Sequence, residues 1–115
     1  MVVERGEVWW ADLGEPVGAE PGYRRPIIIV QADAFNRSRI DTVIALILTS
    51  NLQLLDAPGN VLVRTKESGL PKDSVANVSQ VVTLDREMLT ERVARLPKRI
   101  MRRIDDGLRL VLSLR

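Results

Sequence analysis

The sequence predicts a mainly β, α+β domain: a small SH3-like barrel of antiparallel strands carrying a C-terminal helix. Three observations lead there. Short runs of β-branched and aromatic residues recur along the chain, clusters of glycine, proline and polar residues separate them, and the apolar period becomes helical only after Pro97. At 115 residues, with 45% hydrophobic and 28% charged positions, residues 1–115 read as one domain without internal repeat, linker or low-complexity tract.

The first strand is expected over Glu7-Val-Trp-Trp-Ala-Asp, ending near Leu13. Alternation puts Val8, Trp10 and Asp12 on one face and Glu7, Trp9 and Ala11 on the other, so at least one tryptophan belongs to the core. The other is free to stack on a base or enter a subunit interface. Residues 14–24 hold three glycines and two prolines, the composition of a long loop rather than a strand. Loops of this length in compact domains serve as lids or binding loops. Tyr23 stands at its end beside two arginines.

Strand two is read from Arg25 to Gln31, since Pro26 forbids helix at the junction and Ile27-Ile-Ile-Val30 is almost pure β-former. Strand three is read over Thr42–Thr49. Neither shows polar alternation, so both faces of both strands must be covered. The C-terminal helix can cover one face, and a second copy of the chain is expected on the other, which makes a homodimer the physical inference. The polar connection 32–39 holds a short helical turn. An irregular stretch follows strand three, then a short strand at Val61–Val63, a turn over 67–74 punctuated by Gly69 and Pro71, and a strand from Ser74 to Val82. Leu84–Leu89 allows a helical turn and Glu91–Leu96 a last strand. Between Pro97 and Leu114, Ile100, Met101, Ile104, Leu108, Val111 and Leu112 form one stripe, with Lys98, Arg99, Arg102 and Arg103 mostly off it. Gly107 interrupts this helix and would permit close packing on the sheet.

Composition constrains the chemistry. The chain has neither cysteine nor histidine, which removes disulfides, thiolate nucleophiles, the usual general base and the usual metal ligand, so no metal or cofactor is expected. A net charge of +2 with a pI near 9.5 suits a polyanionic partner, depending on where the arginines cluster. No stretch has the length and hydropathy of a membrane span or signal peptide, so a cytoplasmic protein is expected. Arg24 and Arg25, at the mouth of a buried strand, are suited to gripping phosphate, because a guanidinium donates to two oxygens and keeps its charge.

Four segments carry a family resemblance: Arg5-Gly-Glu-Val-Trp-Trp-Ala-Asp-Leu, Gly22-Tyr-Arg-Arg-Pro-Ile-Ile-Ile-Val-Gln, Leu48-Thr-Ser-Asn, and Gly69-Leu-Pro-Lys-Asp-Ser-Val with Ser79-Gln80. In this order and spacing they resemble the MazF/PemK family of toxin endoribonucleases from type II toxin–antitoxin pairs. The resemblance implies a homodimeric enzyme that cleaves single-stranded RNA sequence-specifically, and a partner antitoxin whose disordered tail docks across the dimer. It also implies a catalytic pair, Arg25 and Thr49, with Glu20 of the loop and Gln80 as further site residues. Arg24 and Ser50 join the substrate-binding set by position alone. Ala19 stands where family loops often carry a serine.

Without histidine, thiol or metal, RNA can still be cut, because the ribose 2′-hydroxyl is a nucleophile that the substrate itself supplies. Its attack on phosphorus leaves a 2′,3′-cyclic phosphate and a 5′-hydroxyl end. Arg25 would stabilise the charge gathering on the phosphoryl oxygens and Thr49 would orient the phosphate. Glu20 is a candidate for accepting the 2′ proton. Two other functions compete: a non-catalytic toxin of the gyrase-poison kind on the same fold, and a plain RNA-binding module. The Arg25 and Thr49 pair argues against the first, and four aromatic residues in 115 argue against the second.

Overall fold

The computed structural model describes residues 2–19 and 21–115. Among them run β1 (Glu7–Asp12), β2 (Arg24–Ile29), α1 (Asp33–Asn36), β3 (Thr42–Thr49), β4 (Val61–Val63), α2 (Thr65–Ser68), β5 (Ser74–Asp85), β6 (Leu89–Arg95) and α3 (Lys98–Leu112). The strands make one antiparallel sheet in the order β4-β5-β3-β2-β1-β6. It is curled like an SH3 barrel but left open as a half-barrel, with β4 and β6 as its edges.

Alternation along each strand feeds two separate cores. Val8, Ile28, Leu46 and Leu48 face α3, which inserts Ile100, Met101 and Ile104. The opposite parity, Trp9, Ala11, Ile27, Ile29 and Ile47, meets Val3, Leu84 and Leu89, brought round by the curl of the sheet. This corrects the reason given above for a second copy: Ile27 and Ile29 are fully buried and Ile47 is 1% exposed within one chain. The sheet closes over its own concave face instead.

The curl depends on a break in β5. Its pairing with β3 jumps from Leu46↔Val81 to Ile47↔Asn77, leaving Val78, Ser79 and Gln80 without partners on β3. The bulge is held by Asn60, whose Oδ1 accepts from Val78 N at 3.0 Å while its Nδ2 donates to Leu54 O at 2.9 Å. As a result β5 runs to Asp85, three residues past the expected end, so that its second half can cover the concave face.

Two further differences from expectation have local causes. β2 begins one residue early, at Arg24, which pairs with Asp12. It stops at Ile29 because Val30 N and Gln31 N both donate to the single carbonyl of Ile44, which ends the ladder. Residues 65–68, placed partly in a turn, form α2, because Glu67 accepts from the backbone N–H of Arg64 and its far oxygen binds Arg99 Nη2 at 2.6 Å. Gly69 then ends the helix at φ 73°.

Helix α3 is fixed near its middle by two attachments. Arg5 donates from Nε to Val30 O at 2.8 Å and from Nη2 to Asp105 Oδ1 at 2.6 Å, tying the helix to the start of the sheet. Gly107 lies against Gly59 and Val78, as its place in the helix foreshadowed.

Candidate active site

Successive residues of a strand point to opposite faces, and this separates the two arginines that the sequence puts side by side. Arg24 shares its face with Pro26 and Ile28, and Pro26 pairs with Trp10. Its guanidinium carbon sits 4.2 Å from the Trp10 ring centroid, and its Nη2 donates to Glu91 Oε2 at 3.1 Å. Arg25 shares the parity of Ile27 and Ile29. Its Nε donates back to the carbonyl of Gly22 at 3.3 Å, bracing the end of the β1–β2 loop.

Thr49 ends the neighbouring strand β3. The β2–β3 register pairs Ile27 with Ile47, Ile28 with Leu46 and Ile29 with Ala45. Continued by two residues, the same register aligns Arg25 with Thr49 and Arg24 with Ser50. Arg25 and Thr49 thus share one parity at the open end of adjacent strands, while Arg24 and Ser50 belong to the other; Thr49 does not line the cavity at this end that Arg25 lines. Thr49 is held by pairing with Val75 and accepts at Oγ1 from Asn51 N at 3.2 Å.

An open cavity of about 470 Å³ lies at this end of the sheet, lined by Tyr23, Arg24, Arg25 and Pro26 from β2 and its approach, by Ser50, and by Pro71 and Lys72. Lys72 was not among the sequence-predicted site residues. The turn after Gly69 delivers it: Thr65 N donates to Asp73 Oδ1 at 2.9 Å and Ser74 Oγ donates to Lys72 O at 3.2 Å. The only sequence signal was its place in the Gly69-Leu-Pro-Lys-Asp-Ser segment. The cavity gathers three cationic side chains, two guanidiniums and one ammonium, with a serine hydroxyl, a lining suited to a phosphodiester chain.

Gln80 is placed elsewhere. It sits on the β5 bulge, where its Oε1 accepts from Asn77 Nδ2 at 3.3 Å, and it lines a second cavity of about 740 Å³ beneath the β1–β2 loop with Leu13, Val17 and Pro21. Neither Arg25 nor Thr49 lines that cavity. Glu20 lies outside the described residues. Asn60, which holds the bulge from outside, had no distinctive sequence signal, because its backbone partners Leu54 O and Val78 N lie apart in the chain, whereas Asn77 holds it locally by accepting from Ser79 N and Oγ.

The buried carboxylates are structural. Burial works against the charged form of Glu7, but Arg92 Nε, the backbone N–H of Glu4 and Trp9 Nε1 together hold its pKa below the usual carboxylate range. Glu67 is held low by the Arg64 backbone N–H and by Arg99. Among the described residues no three acidic side chains converge as a metal-binding set.

This geometry has known counterparts. The model of the PemK-like, MazF-like toxins of type II toxin–antitoxin systems matches residues 4–112. The chain is 48% identical to Endoribonuclease MazF6 of Mycobacterium tuberculosis over 114 residues, 99% of this chain and 100% of that protein. It is 35% identical to Endoribonuclease EndoA of Bacillus subtilis, over 99% of this chain and 97% of that one. Among solved structures it is similar to a mycobacterial endoribonuclease in complex with its cognate antitoxin, with a TM-score of 0.80 and 25% identity over 98% of this chain and 97% of that one. A match over almost the whole chain, together with the half-barrel, shows that the chain belongs to the PemK-like, MazF-like toxins of type II toxin–antitoxin systems.

Proposed function

We propose that this MazF-like toxin is an endoribonuclease that cuts single-stranded RNA by attack of the ribose 2′-hydroxyl on the adjacent phosphorus, without a metal. The observation that supports this reading is the β2–β3 register, paired as far as Ile27↔Ile47, which extended by two residues would set Arg25 against Thr49, beside a cavity that Arg24, Arg25 and Lys72 line. Arg25 offers donors to the phosphoryl oxygens as negative charge builds there, and a guanidinium fixed by Gly22 O is preorganised for it. The Thr49 hydroxyl orients the phosphate. Lys72, Ser50 and Arg24 line the path of the strand, and Lys72 neutralises a neighbouring phosphate. Glu20 is proposed as acceptor of the 2′ proton, and Gln80 as a contact to a more distant nucleotide reaching the cavity under the loop.

The working form is a homodimer in the cytoplasm, silenced by a cognate antitoxin. A surface in need of cover supports the dimer: Leu110, Leu112 and Leu114 at the end of α3 are 60%, 52% and 61% exposed. Sedimentation tests it, a monomer at micromolar concentration being the contrary result. No helix of the described residues is long and apolar enough to cross a membrane.

The chemistry is tested with purified protein and a long single-stranded RNA in excess EDTA. Cleavage that leaves 5′-hydroxyl ends and spares a site carrying one 2′-deoxyribose is expected. Strict dependence on added metal, or equal cutting of the deoxy-substituted site, would overturn the mechanism.

A further inference from the structure

We propose that Arg24, Trp10 and Tyr23 form a stacking site for an unstacked nucleobase next to the cleaved phosphate, so that Arg24 reads a base face rather than gripping phosphate. The inference rests on the endoribonuclease reading and adds a specificity-determining subsite to it. Three observations carry it.

First, the Arg24 guanidinium is already committed as a plane. One face covers Trp10 at 4.2 Å, and the Nη2 edge donates to Glu91 Oε2 at 3.1 Å. Trp10 in turn packs on the core cluster that faces α3, so the platform has a rigid floor. The Arg24 side chain remains 53% exposed. A guanidinium lying flat on an aromatic ring, with part of its edge engaged and half its surface in solvent, is arranged to receive a second flat group.

Second, Tyr23 is held in a backbone conformation that an L-residue seldom adopts, at φ 63°. Two backbone hydrogen bonds impose it: Leu13 N donates to Tyr23 O at 2.8 Å, and Tyr23 N donates to Gly14 O. These bonds close the neck of the β1–β2 loop and leave Tyr23 65% exposed beside Arg24. An aromatic ring fixed in solvent contributes little to packing and is available for stacking.

Third, Tyr23 and Arg24 together form the wall between two adjoining cavities. On one side lies the cationic cavity with Arg25, Ser50 and Lys72. On the other lies a cavity of about 590 Å³ whose remaining lining is Asp12, Thr90 and Glu91, which offers acceptors instead of cations. A strand whose phosphate rests at Arg25 therefore has, within the same wall, a flat cation and a flat ring for its neighbouring base. Phosphate fits the first cavity and is repelled by the carboxylates of the second, whereas a base edge bearing N–H groups is accepted there.

The test uses binding without cleavage. A 2′-O-methyl decanucleotide of mixed sequence, carrying one 2-aminopurine, reports stacking by loss of its fluorescence. Quenching is expected on the wild-type protein. Arg24→Lys, which keeps the charge but not the plane, and Tyr23→Ala should each weaken the quenched complex roughly five- to tenfold, the lower range for one base–aromatic stack. Tyr23→Phe should bind like wild type, which separates loss of the ring from any disturbance of the loop. In RNA cleavage, Arg24→Lys should redistribute the cut sites along a long RNA. An unquenched wild-type complex, or equal affinity and quenching in Arg24→Lys and Tyr23→Ala, would overturn the proposal. Quenching by a wild-type protein that cuts no RNA would support the stacking site and overturn the endoribonuclease reading instead.

Discussion

Gly107 lies so close to Gly59 that a Cβ at position 107 would stand 2.2 Å from the Gly59 carbonyl oxygen and 3.0 Å from Val78 Cγ1. The helix thereby accepts a residue with poor helical propensity in exchange for contact with the sheet and the loop before β4. Gly107→Ala should therefore destabilise the protein even though alanine favours the helix by about 1 kcal/mol. The neighbour is backbone and cannot rotate away, so overpacking of about 1–3 kcal/mol or more is expected, with Tm several degrees lower in a thermal melt. A Tm equal to wild type would show that α3 slides freely on Gly59.

Arg25→Ala and Thr49→Ala are expected to retain the fold and lose cleavage. Both sit at strand ends, half-buried, outside the two core clusters. Removal of a group that stabilises charge on the reacting phosphate costs about 10²–10³ in rate. Single-turnover cleavage of a defined RNA, read beside circular dichroism, checks this. Wild-type rates in both variants would remove the assigned pair.

Lys72 is expected to act on affinity rather than on the chemical step. If its ammonium displaces one counterion from a single strand, Lys72→Ala should lower the slope of log K against log salt by about 0.7. Titrations of a 2′-O-methyl oligonucleotide at several salt concentrations measure it. An unchanged slope would place Lys72 off the path of the strand.

Acid should loosen the start of the fold. Asp33 accepts from the Arg5 backbone N–H at 2.8 Å and from Asn36 Nδ2 at 3.0 Å, and these bonds, led by the first, lower its pKa. A carboxylate with a folded pKa below its unfolded one contributes stability above the unfolded value and loses it as pH falls through the folded value. Urea midpoints should therefore drop between about pH 5 and pH 3, the region set by ordinary aspartate titration and the downward shift. Asp33→Asn keeps an oxygen acceptor but not the charge, so its deficit against wild type should shrink towards pH 3. A deficit constant across that range would exclude a role for the Asp33 charge.

The strands carrying the site were legible because their composition leaves no other choice. Thr42–Thr49 and Val61–Val63 have the predicted bounds, and β2 and β3 pair through the apolar residues Ile27–Ile29 and Ala45–Ile47. The concave face was misattributed to a second copy, because composition does not show how far a sheet curls. That depends on the Val78–Gln80 bulge, which hangs on Asn60, a residue with no local pattern around it. Lys72 was missed for a similar reason. Its position depends on the Asp73 and Ser74 hydrogen bonds and on a helix that the Gly69 and Pro71 punctuation concealed. Of the two tryptophans, Trp9 supplies the expected core residue at 8% exposure, and Trp10 is half-buried, packing on the cluster that faces α3 with Arg24 over its ring.

The placing of Arg24 and Arg25 on opposite parities also determines which changes of length the chain can absorb. Residues added between Gly14 and Ala19, ahead of Glu20, alter the span of the loop, since the Leu13–Tyr23 bond re-forms the neck beyond them. One residue inserted between Arg25 and Pro26 would turn both guanidiniums over, sending Arg24 to the side of Thr49 and Arg25 to the side of Trp10. A scan of single-residue insertions across residues 14–26 should accordingly show tolerance between Gly14 and Ala19 and a sharp loss of activity at the doublet, where the face that each guanidinium takes is set by the count of residues before Pro26.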